Sequence, residues 1–366
     1  MSMTTKERMM SIYRNRIPDN VPVAIYSFFL PRGFSERNAR NMGLGLIDSV
    51  PLTNAIGPPM NIADGFIPKI NGAEFSVKYY WENGKLLERR LFETPVGSVW
   101  HISEKSVGAS RHVIKYYAAE PEDYKIIQYL VENTQFVVNE PAVKRRLAEI
   151  GEDGVVLGRL ERTPYQKLMI EIAGTLQFLL DLQSEPEIVG ELIETMNHKT
   201  IEHFKLCALT DADAYWSPDN ITSMLTPPAN FERYCAPLYR EFAKIAKQAD
   251  KPYMIHMDGG LRALRDLINS VDFDVIESMS YPEIGGDMTL TEAVETFPGK
   301  TVVPNFPANL CYKSDDDIRE FIDGKIQETK GRIPFMVAVS EDLPDAHFSR
   351  VLSLLCSYTA EKWQET

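Results

Sequence analysis

One stretch of the sequence, residues 252–306, constrains the fold of this chain more than any other. It contains three short apolar runs, PYMI, FDVIESM and KTVVPNF, and each of them gives way abruptly to polar or glycine-rich residues. Segments of helical length separate the runs. Short apolar strands that alternate with helices are typical of (β/α) barrels, in which the chemistry lies at the carboxyl ends of the strands. The sequence therefore predicts an α/β fold, a TIM (β/α)8 barrel.

A second pattern interrupts this alternation at about residues 72–118. Polar and apolar residues alternate there, and the pair Asn83-Gly84 lies between two such runs. An Asn-Gly pair in that position is a strong β-hairpin signal. We therefore expect an inserted antiparallel β-ribbon that folds over or beside the barrel mouth. Because the sequence contains no internal repeat and no low-complexity linker, we interpret residues 1–366 as a single TIM-barrel domain with this elaboration.

Charge and cysteine spacing argue against several classes of protein. The formal net charge is −13 and the sequence has no basic run of five or more residues, so a nucleic-acid-binding surface is not expected. The four cysteines lie far apart and form no CxxC motif, which indicates neither a disulfide framework nor a thiolate metal site. The first residues lack the apolar core of a signal peptide, and no apolar run has the length of a membrane span. We expect a cytoplasmic protein that does not bind membranes.

Titratable and polar side chains follow the apolar runs at the predicted strand ends. His256 and Asp258 follow PYMI, Glu277 and Asn305 lie at the ends of the next two runs, and Glu341 follows FMVAVS. Since all barrel strands end at one rim, these side chains should converge. Buried carboxylates need partners, and one divalent cation would satisfy several of them. One imidazole with carboxylates suits a zinc ion that acts as a Lewis acid and keeps a coordination position open for substrate.

Each of these side chains also has an ordinary structural interpretation. Glu277 could pair with a Lys or Arg on the rim. Glu292 lies three residues after Thr289, which is a capping-box pattern at the start of a helix. Asp258 could cap the following helix, and Glu341 could cap the last βα turn. The residues alone leave both interpretations open.

Further side chains near the strand ends are candidates for a pocket that binds a flat, apolar substrate. These candidate substrate-binding residues are Phe28, Trp216, Asp219 and Asn305. An aryl ring against an aromatic side chain gains about 0.5–1.5 kcal/mol per pair. The alternative for the polar members of the set is loop packing and Asx-turn formation.

Five segments of the chain resemble the uroporphyrinogen decarboxylase-like superfamily, in a similarity that runs from about Pro22 to the carboxyl terminus. The segments are HMDG (256–259), DVIESMSYP (274–282), GDMTLTEA (286–293), NFPANL (305–310) and SEDLP (340–344). The resemblance implies a TIM barrel of about this length. The decarboxylases of the superfamily carry an arginine-rich signature after the first strand. Here the corresponding YSFFLPRGFSERN contains Arg32 and Arg37 but lacks that signature.

The superfamily also contains corrinoid-dependent methyltransferases. Those that act on coenzyme M hold zinc with a His-x-Cys motif and a distant Cys. Here the motif reads His256-Met257-Asp258, and Glu341 stands about where the distant Cys would be. The chain looks more like the branch linked to methyl-ether demethylation, whose zinc is associated with His and Glu ligands. That resemblance implies zinc ligands among His256, Glu277 and Glu292 or Glu341. Asp258, two residues after His256, is the candidate catalytic carboxylate.

In that branch a methyltransferase passes a methyl group from an aryl ether to the cobalamin of a separate corrinoid protein. No DxHxxG-like corrinoid-binding segment is visible in this chain, so the cofactor should arrive with a partner. The expected partners are thus a corrinoid protein and a small methyl donor, and a homodimer is compatible with the sequence. Two other functions stay open. One is a metal-free decarboxylase or lyase on the same barrel, and the other is a non-catalytic ligand-binding barrel.

Overall fold

The computed structural model of the protein describes residues 2–30, 33–56, 72–105 and 111–365. In these residues the strands, numbered along the chain, are β1 (Val23–Tyr26), β2 (Gly45–Pro51), β3 (Thr53–Ile56), β4 (Glu74–Glu82), β5 (Lys85–Thr94), β6 (Gly97–Lys105), β7 (Arg111–Lys115), β8 (Gln135–Val138), β9 (Gly154–Arg159), β10 (Ala214–Ser217), β11 (Tyr253–His256), β12 (Val275–Met279), β13 (Thr301–Pro304) and β14 (Val337–Val339).

The α-helices, numbered in the same way, are α1 (Thr5–Tyr13), α2 (Phe34–Asn41), α3 (Asp123–Glu132), α4 (Glu140–Ile150), α5 (Pro164–Lys167), α6 (Thr175–Ser184), α7 (Pro186–Cys207), α8 (Pro228–Asn230), α9 (Ala236–Gln248), α10 (Arg265–Asn269), α11 (Leu290–Thr296), α12 (Asp315–Thr329) and α13 (Asp345–Glu365). None of the helices in the described ranges is long and apolar enough to cross a membrane.

The chain divides into two compact units. The first, which we call the barrel unit, comprises Met1–Pro51, Pro141–Arg159 and Asp211–Thr366. The second, which we call the insert unit, comprises Leu52–Glu140 and Leu160–Thr210. The interpretation of the chain as a single domain stays a prediction.

Eight parallel strands of the barrel unit form one sheet in the order β13-β12-β11-β10-β9-β2-β1-β14. A parallel bridge between Asn305 and Ala338 brings the two ends of this sheet together, and the Phe306 amide donates to the Ala338 carbonyl at 2.7 Å. The sheet is thus nearly closed and is surrounded by helices. This confirms the predicted TIM barrel.

The barrel interior follows from the two-residue period of each strand. Side chains that alternate along the strands form one buried cluster, with members such as Ala24 and Tyr26 on β1 and Ala214 and Trp216 on β10. The strands are buried along nearly their whole length, as parallel strands covered on both faces must be. The last inward-pointing side chain of each strand therefore lies at the carboxyl end of the barrel.

Helix α1 closes the opposite end of the barrel. It begins at a capping box in which Thr4 and Glu7 satisfy each other's backbone amides. Its Met9 and Ile12 belong to the interior cluster, and the Thr301 hydroxyl at the start of β13 donates to the Ile12 carbonyl at 2.9 Å. Because α1 occupies the amino-terminal end of the strands, the carboxyl end is where a site can form.

The insert unit contains the predicted ribbon as a four-stranded antiparallel sheet in the order β4-β5-β6-β7. Asn83 and Gly84 connect β4 to β5 with φ of 50° and 75°, the pair of positive angles that a two-residue hairpin needs. A second antiparallel pair, β3 with β8, was not predicted, because the short run QFVV directly follows a helix. The expected placement of the ribbon at the barrel mouth stays a prediction.

Candidate active site at the carboxyl ends of the barrel strands

A histidine and a glutamate from adjacent strands form the centre of the candidate site. His256 on β11 and Glu277 on β12 are direct partners in the strand register. His256 Nδ1 lies 2.6 Å from Glu277 Oε2. The His256 side chain is 14% exposed and that of Glu277 only 3%, so water screens this pair poorly. The rim convergence that the sequence predicts for these two residues is present.

Two more carboxylates lie close to this pair. Asp258 Oδ2 is 3.5 Å from His256 Nε2, so the imidazole has a carboxylate beside each of its nitrogens. Glu341 follows β14, and its pKa responds to the charges of both Asp258 and His256. The centre of the site is therefore one imidazole among three carboxylates.

Each of the three carboxylates accepts a hydrogen bond from a neutral nitrogen donor on another strand end. The three bonds are Trp216 Nε1 to Glu277 Oε2 (3.0 Å), Asn220 Nδ2 to Asp258 Oδ2 (2.9 Å) and Asn305 Nδ2 to Glu341 Oε1 (2.8 Å). The Ser340 amide donates to Asn305 Oδ1 at 3.2 Å, which fixes the orientation of that side-chain amide. A neutral donor orients a carboxylate without adding a positive charge of its own.

The pKa values in the site follow from this arrangement. Burial alone would lower the pKa of His256, but the charge of Glu277 and hydrogen bonds to Asp258 and Glu277 outweigh it and raise the pKa to about 10. Burial acts to raise the pKa of Asp258, yet the bonds from His256 and Asn220 hold it below its usual value. Burial and the charge of Asp258 raise the pKa of Glu341. In the metal-free protein at neutral pH, His256 is therefore an imidazolium between carboxylates.

A β-bulge lies directly after Glu277. The register of β12 against β13 shifts between Glu277 and Met279, and Ser278 has φ of 62°. The Ser278 hydroxyl lies 2.6 Å from that of Ser340. A left-handed serine costs about 1–3 kcal/mol, and bulges often lie beside active sites, where they redirect side chains. Nothing in the run DVIESM signals this bulge, because it depends on the pairing with β13.

Aromatic rings form a row from the ion pair to the surface of the barrel unit. The Trp216 ring lies 6.1 Å from the His256 ring at 80°, the Tyr26 centroid lies 5.5 Å from Trp216, and the Phe28 centroid lies 5.2 Å from Tyr26. Trp216 is 7% exposed and Phe28 is 52% exposed. Tyr26 was not among the predicted residues, although its position at the end of the first apolar run is a usable signal. Phe28 is the ring of this row with substantial exposed surface, and Tyr26 and Trp216 connect it to the ion pair through the barrel interior.

The remaining predicted residues have other surroundings. Asp219 is fully buried and accepts a hydrogen bond from the Tyr239 hydroxyl at 2.7 Å. Glu292 is half exposed, completes a capping box with Thr289 at the start of α11, and lies 3.4 Å from Arg262. The capping interpretation of Glu292 is therefore confirmed.

Arg32 and Arg37 are the two arginines of the segment that corresponds to the decarboxylase signature. Arg37 is exposed on α2, and Arg32 lies outside the described residues.

The donors in the site have the chemistry that zinc uses, since zinc binds imidazole nitrogen and carboxylate oxygen. Within the described ranges, however, no group of three or more His, Cys, Asp or Glu side chains is already arranged to hold a metal ion. Glu277 occupies His256 Nδ1, which leaves Nε2 as the nitrogen that could turn to a metal. In most metal sites, a ligating histidine binds the metal through one ring nitrogen and donates a hydrogen bond from the other to a carboxylate. The side chains thus have the donor atoms that zinc prefers, but their positions would have to change for them to coordinate it.

Comparison with solved structures places this fold beside that of a methyltransferase from Methanosarcina mazei. That structure matches with a TM-score of 0.59 at 12% identity and covers 98% of both chains, which is a likeness of fold. The tandem GH20 catalytic modules of the pneumococcal exo-β-D-N-acetylglucosaminidase StrH match at 10% identity over 97% of this chain and 86% of that chain. Their TM-score of 0.38 is too low to support any argument.

A search of curated proteins finds no match. The model of the family described as uroporphyrinogen decarboxylase (URO-D) matches residues 143–347, more than half of the 366 residues and the part that contributes β9 to β14. His256, Asp258, Glu277 and Glu341 all lie within the matched range. The chain therefore belongs to the uroporphyrinogen decarboxylase (URO-D) family.

Proposed function

We propose that this protein is a methyltransferase that moves a methyl group from a methyl ether, an aryl ether above all, to the cob(I)alamin of a separate corrinoid protein. One observation carries the proposal: His256 lies among three carboxylates, each oriented by a neutral nitrogen donor. Such a set is suited to holding a Lewis-acidic cation beside a substrate oxygen. Membership of the URO-D family and a fold shared with a methyltransferase from Methanosarcina mazei support it.

We propose His256, Asp258 and Glu341 as the side chains that would hold zinc, with His256 acting through Nε2. Glu277 would keep its bond to Nδ1 and orient the ring, because it already accepts from both His256 and Trp216. Glu292 is left out of this set because it caps α11. A bound zinc ion would supply Lewis acidity towards the ether oxygen, whose negative charge grows as the methyl group leaves.

The reaction needs a buried, oriented site more than it needs a protein nucleophile. The carbon–oxygen bond of the ether breaks and its electron pair stays on the aryl oxygen, while cobalt(I) of the partner supplies the pair for the new cobalt–carbon bond. The phenolate then takes a proton. The row Trp216, Tyr26 and Phe28 would hold the aryl ring, and the depth of Trp216 beside His256 would place the ether oxygen at the carboxylates. An oriented substrate of this kind reacts faster because its entropy is already lost on binding.

The test is to mix the purified protein, loaded with zinc, with reduced free cobalamin and a panel of methoxyarenes, methylamines and methylated thiols. We expect conversion of cob(I)alamin to methylcobalamin, followed by absorbance, with at least one methoxyarene. Turnover with thiols or amines alone would refute the ether assignment. If no donor reacts even when corrinoid proteins are supplied, the chain is better described as a non-catalytic barrel.

Decarboxylation is the second candidate, because the matched family is described by that reaction. The missing arginine-rich signature after β1 argues against a porphyrinogen substrate with several carboxylates. Release of carbon dioxide from a carboxylated substrate by zinc-free protein would favour this candidate over methyl transfer.

A further inference from the structure

The insert unit contains a cavity of its own, with a volume of about 210 Å³. Part of the wall is apolar and is formed by Phe92, Ile127, Leu130, Val131, Phe136 and Met196. At about 30 Å³ per water, the volume equals roughly seven waters, or an organic molecule of about seven to ten non-hydrogen atoms. None of the residues that line the cavity belongs to the barrel-mouth site, so its function is a separate question.

Charged side chains form much of the rest of the cavity wall, and its cations outnumber its carboxylates: Arg90, Arg111, Lys167 and Lys199 against Glu161 and Glu171. Arg90 and Arg111 share one buried carboxylate, Glu88, with an Arg111–Glu88 distance of 2.6 Å. Lys167 pairs with Glu161, and Glu171 pairs with Arg162 behind the wall, both at 2.9 Å. The described wall thus has four cations and two carboxylates, with Glu88 and Arg162 behind it as one further ion of each sign. Burial also raises the pKa of Glu171.

Two polar atoms beside these arginines are buried without a well-aligned hydrogen bond within the described part of the chain, although Arg90 lies close enough to the Tyr117 hydroxyl to offset part of the rise that burial causes in its pKa. They are the hydroxyl of Tyr117, a residue that is only 9% exposed, and Nδ1 of His101. The two rings are 5.2 Å apart, and His101 is the direct cross-strand partner of Arg90. Burial raises the pKa of Tyr117, so its hydroxyl keeps its proton and can donate. Buried polar atoms without partners are costly, and a bound ligand that hydrogen-bonds them would remove that cost.

We infer that this cavity binds a small monocarboxylate with an apolar body. The excess positive charge of Arg90 and Arg111 favours one negative charge, and the Tyr117 hydroxyl and His101 lie beside them to bond a carboxylate oxygen. The apolar wall takes the body of the ligand, which the volume limits to the size of benzoate or a branched short-chain acid. The inference goes beyond the proposed function and uses none of the residues assigned to methyl transfer.

The experiment is isothermal titration of the full chain with benzoate, cyclohexanecarboxylate and 3-methylbutanoate, and with benzyl alcohol and benzylamine as uncharged and cationic controls. We expect one saturable site for at least one carboxylate and no comparable binding of the two controls. Tyr117→Phe removes a buried hydroxyl that lies beside Arg90 without a well-aligned hydrogen bond, so the fold should persist. It should weaken carboxylate binding about tenfold, the typical loss for a hydrogen bond to a charged group.

Tyr129→Phe is the matched control, because within the described residues the Tyr129 hydroxyl makes a single 3.4 Å contact, to the Gly72 carbonyl, and Tyr129 does not line the cavity. It should leave the affinity unchanged, and so should His256→Gln, which alters the barrel site instead. The inference is overturned if no carboxylate binds, if benzyl alcohol binds as tightly as benzoate, or if the affinity falls in His256→Gln but not in Tyr117→Phe.

Discussion

Removal of the Glu277 carboxylate should destabilise the metal-free protein more than loss of any exposed acid. This carboxylate is 3% exposed and accepts from His256 Nδ1 at 2.6 Å and Trp216 Nε1 at 3.0 Å. Breaking a buried ion pair by removing one partner costs about 3–5 kcal/mol. The unpartnered indole N–H adds about 1–3 kcal/mol. Since His256 is 14% exposed and Asp258 still faces it, we expect about 3–5 kcal/mol in total for Glu277→Ala.

Glu277→Gln separates the two contributions. The amide keeps an oxygen that can accept from Trp216 but loses the charge that faces His256, so we expect about 1–3 kcal/mol. Glu292→Gln is the control on an exposed, helix-capping glutamate and should shift the transition much less.

The measurement is equilibrium urea unfolding followed by far-ultraviolet circular dichroism, with EDTA present throughout. A double-mutant cycle with His256→Gln then tests the cause. In the His256→Gln background, Glu277→Ala should lose at least 1 kcal/mol of its effect, the coupling expected of side chains in contact. Equal losses in both backgrounds, or a Glu277→Ala protein as stable as the wild type, would refute the reasoning.

Three further outcomes follow from the fold. The four free cysteines are buried, and burial raises the pKa of Cys356 to about 12, so a thiol reagent should modify them only after unfolding, as counted by absorbance. Burial and the charge of Arg90 lower the pKa of His101 to about 4. Between about pH 6.5 and 4, His101 is therefore protonated in the unfolded chain but neutral in the native protein, so the free energy of unfolding falls as the pH drops through this range. His101→Gln should flatten that part of the pH profile, as measured by urea unfolding. Gly154→Ala would put a Cβ 2.0 Å from the Leu46 carbonyl oxygen in the adjacent strand, and a melting curve should show a loss of about 3 kcal/mol or more, or no folded protein.

Local signals in the sequence predicted the barrel and part of its site. His256 and Glu277 could be expected to meet because each ends an apolar run, and parallel strand ends share a rim. The hairpin at Asn83-Gly84 and the capping box of Glu292 were also predictable, because each depends on a few consecutive residues. The sequence alone thus indicated that Glu292 could cap α11 instead of binding a metal.

The donors that orient the carboxylates could not be predicted in the same way. Asn220 reaches Asp258 from another strand end, and Asn305 reaches Glu341 across the closure of the barrel. Such contacts depend on strand register and side-chain rotamer, which no short pattern in the sequence encodes. The bulge at Ser278 depends on register for the same reason. The cavity of the insert unit brings together segments more than 50 residues apart, such as Arg90 and Lys167.

The most direct test of the account is the rate at which cob(I)alamin is methylated by a methoxyarene, compared between the wild type, His256→Gln and Glu292→Gln. The account predicts methylcobalamin formation by the wild type, a similar rate for Glu292→Gln, and a loss of about 100-fold or more for His256→Gln, because outer partners of metal ligands alone are worth 10- to 100-fold. Circular dichroism checks that His256→Gln is folded. An undiminished rate in folded His256→Gln, or no methyl transfer by the wild type from any methoxyarene, would contradict it.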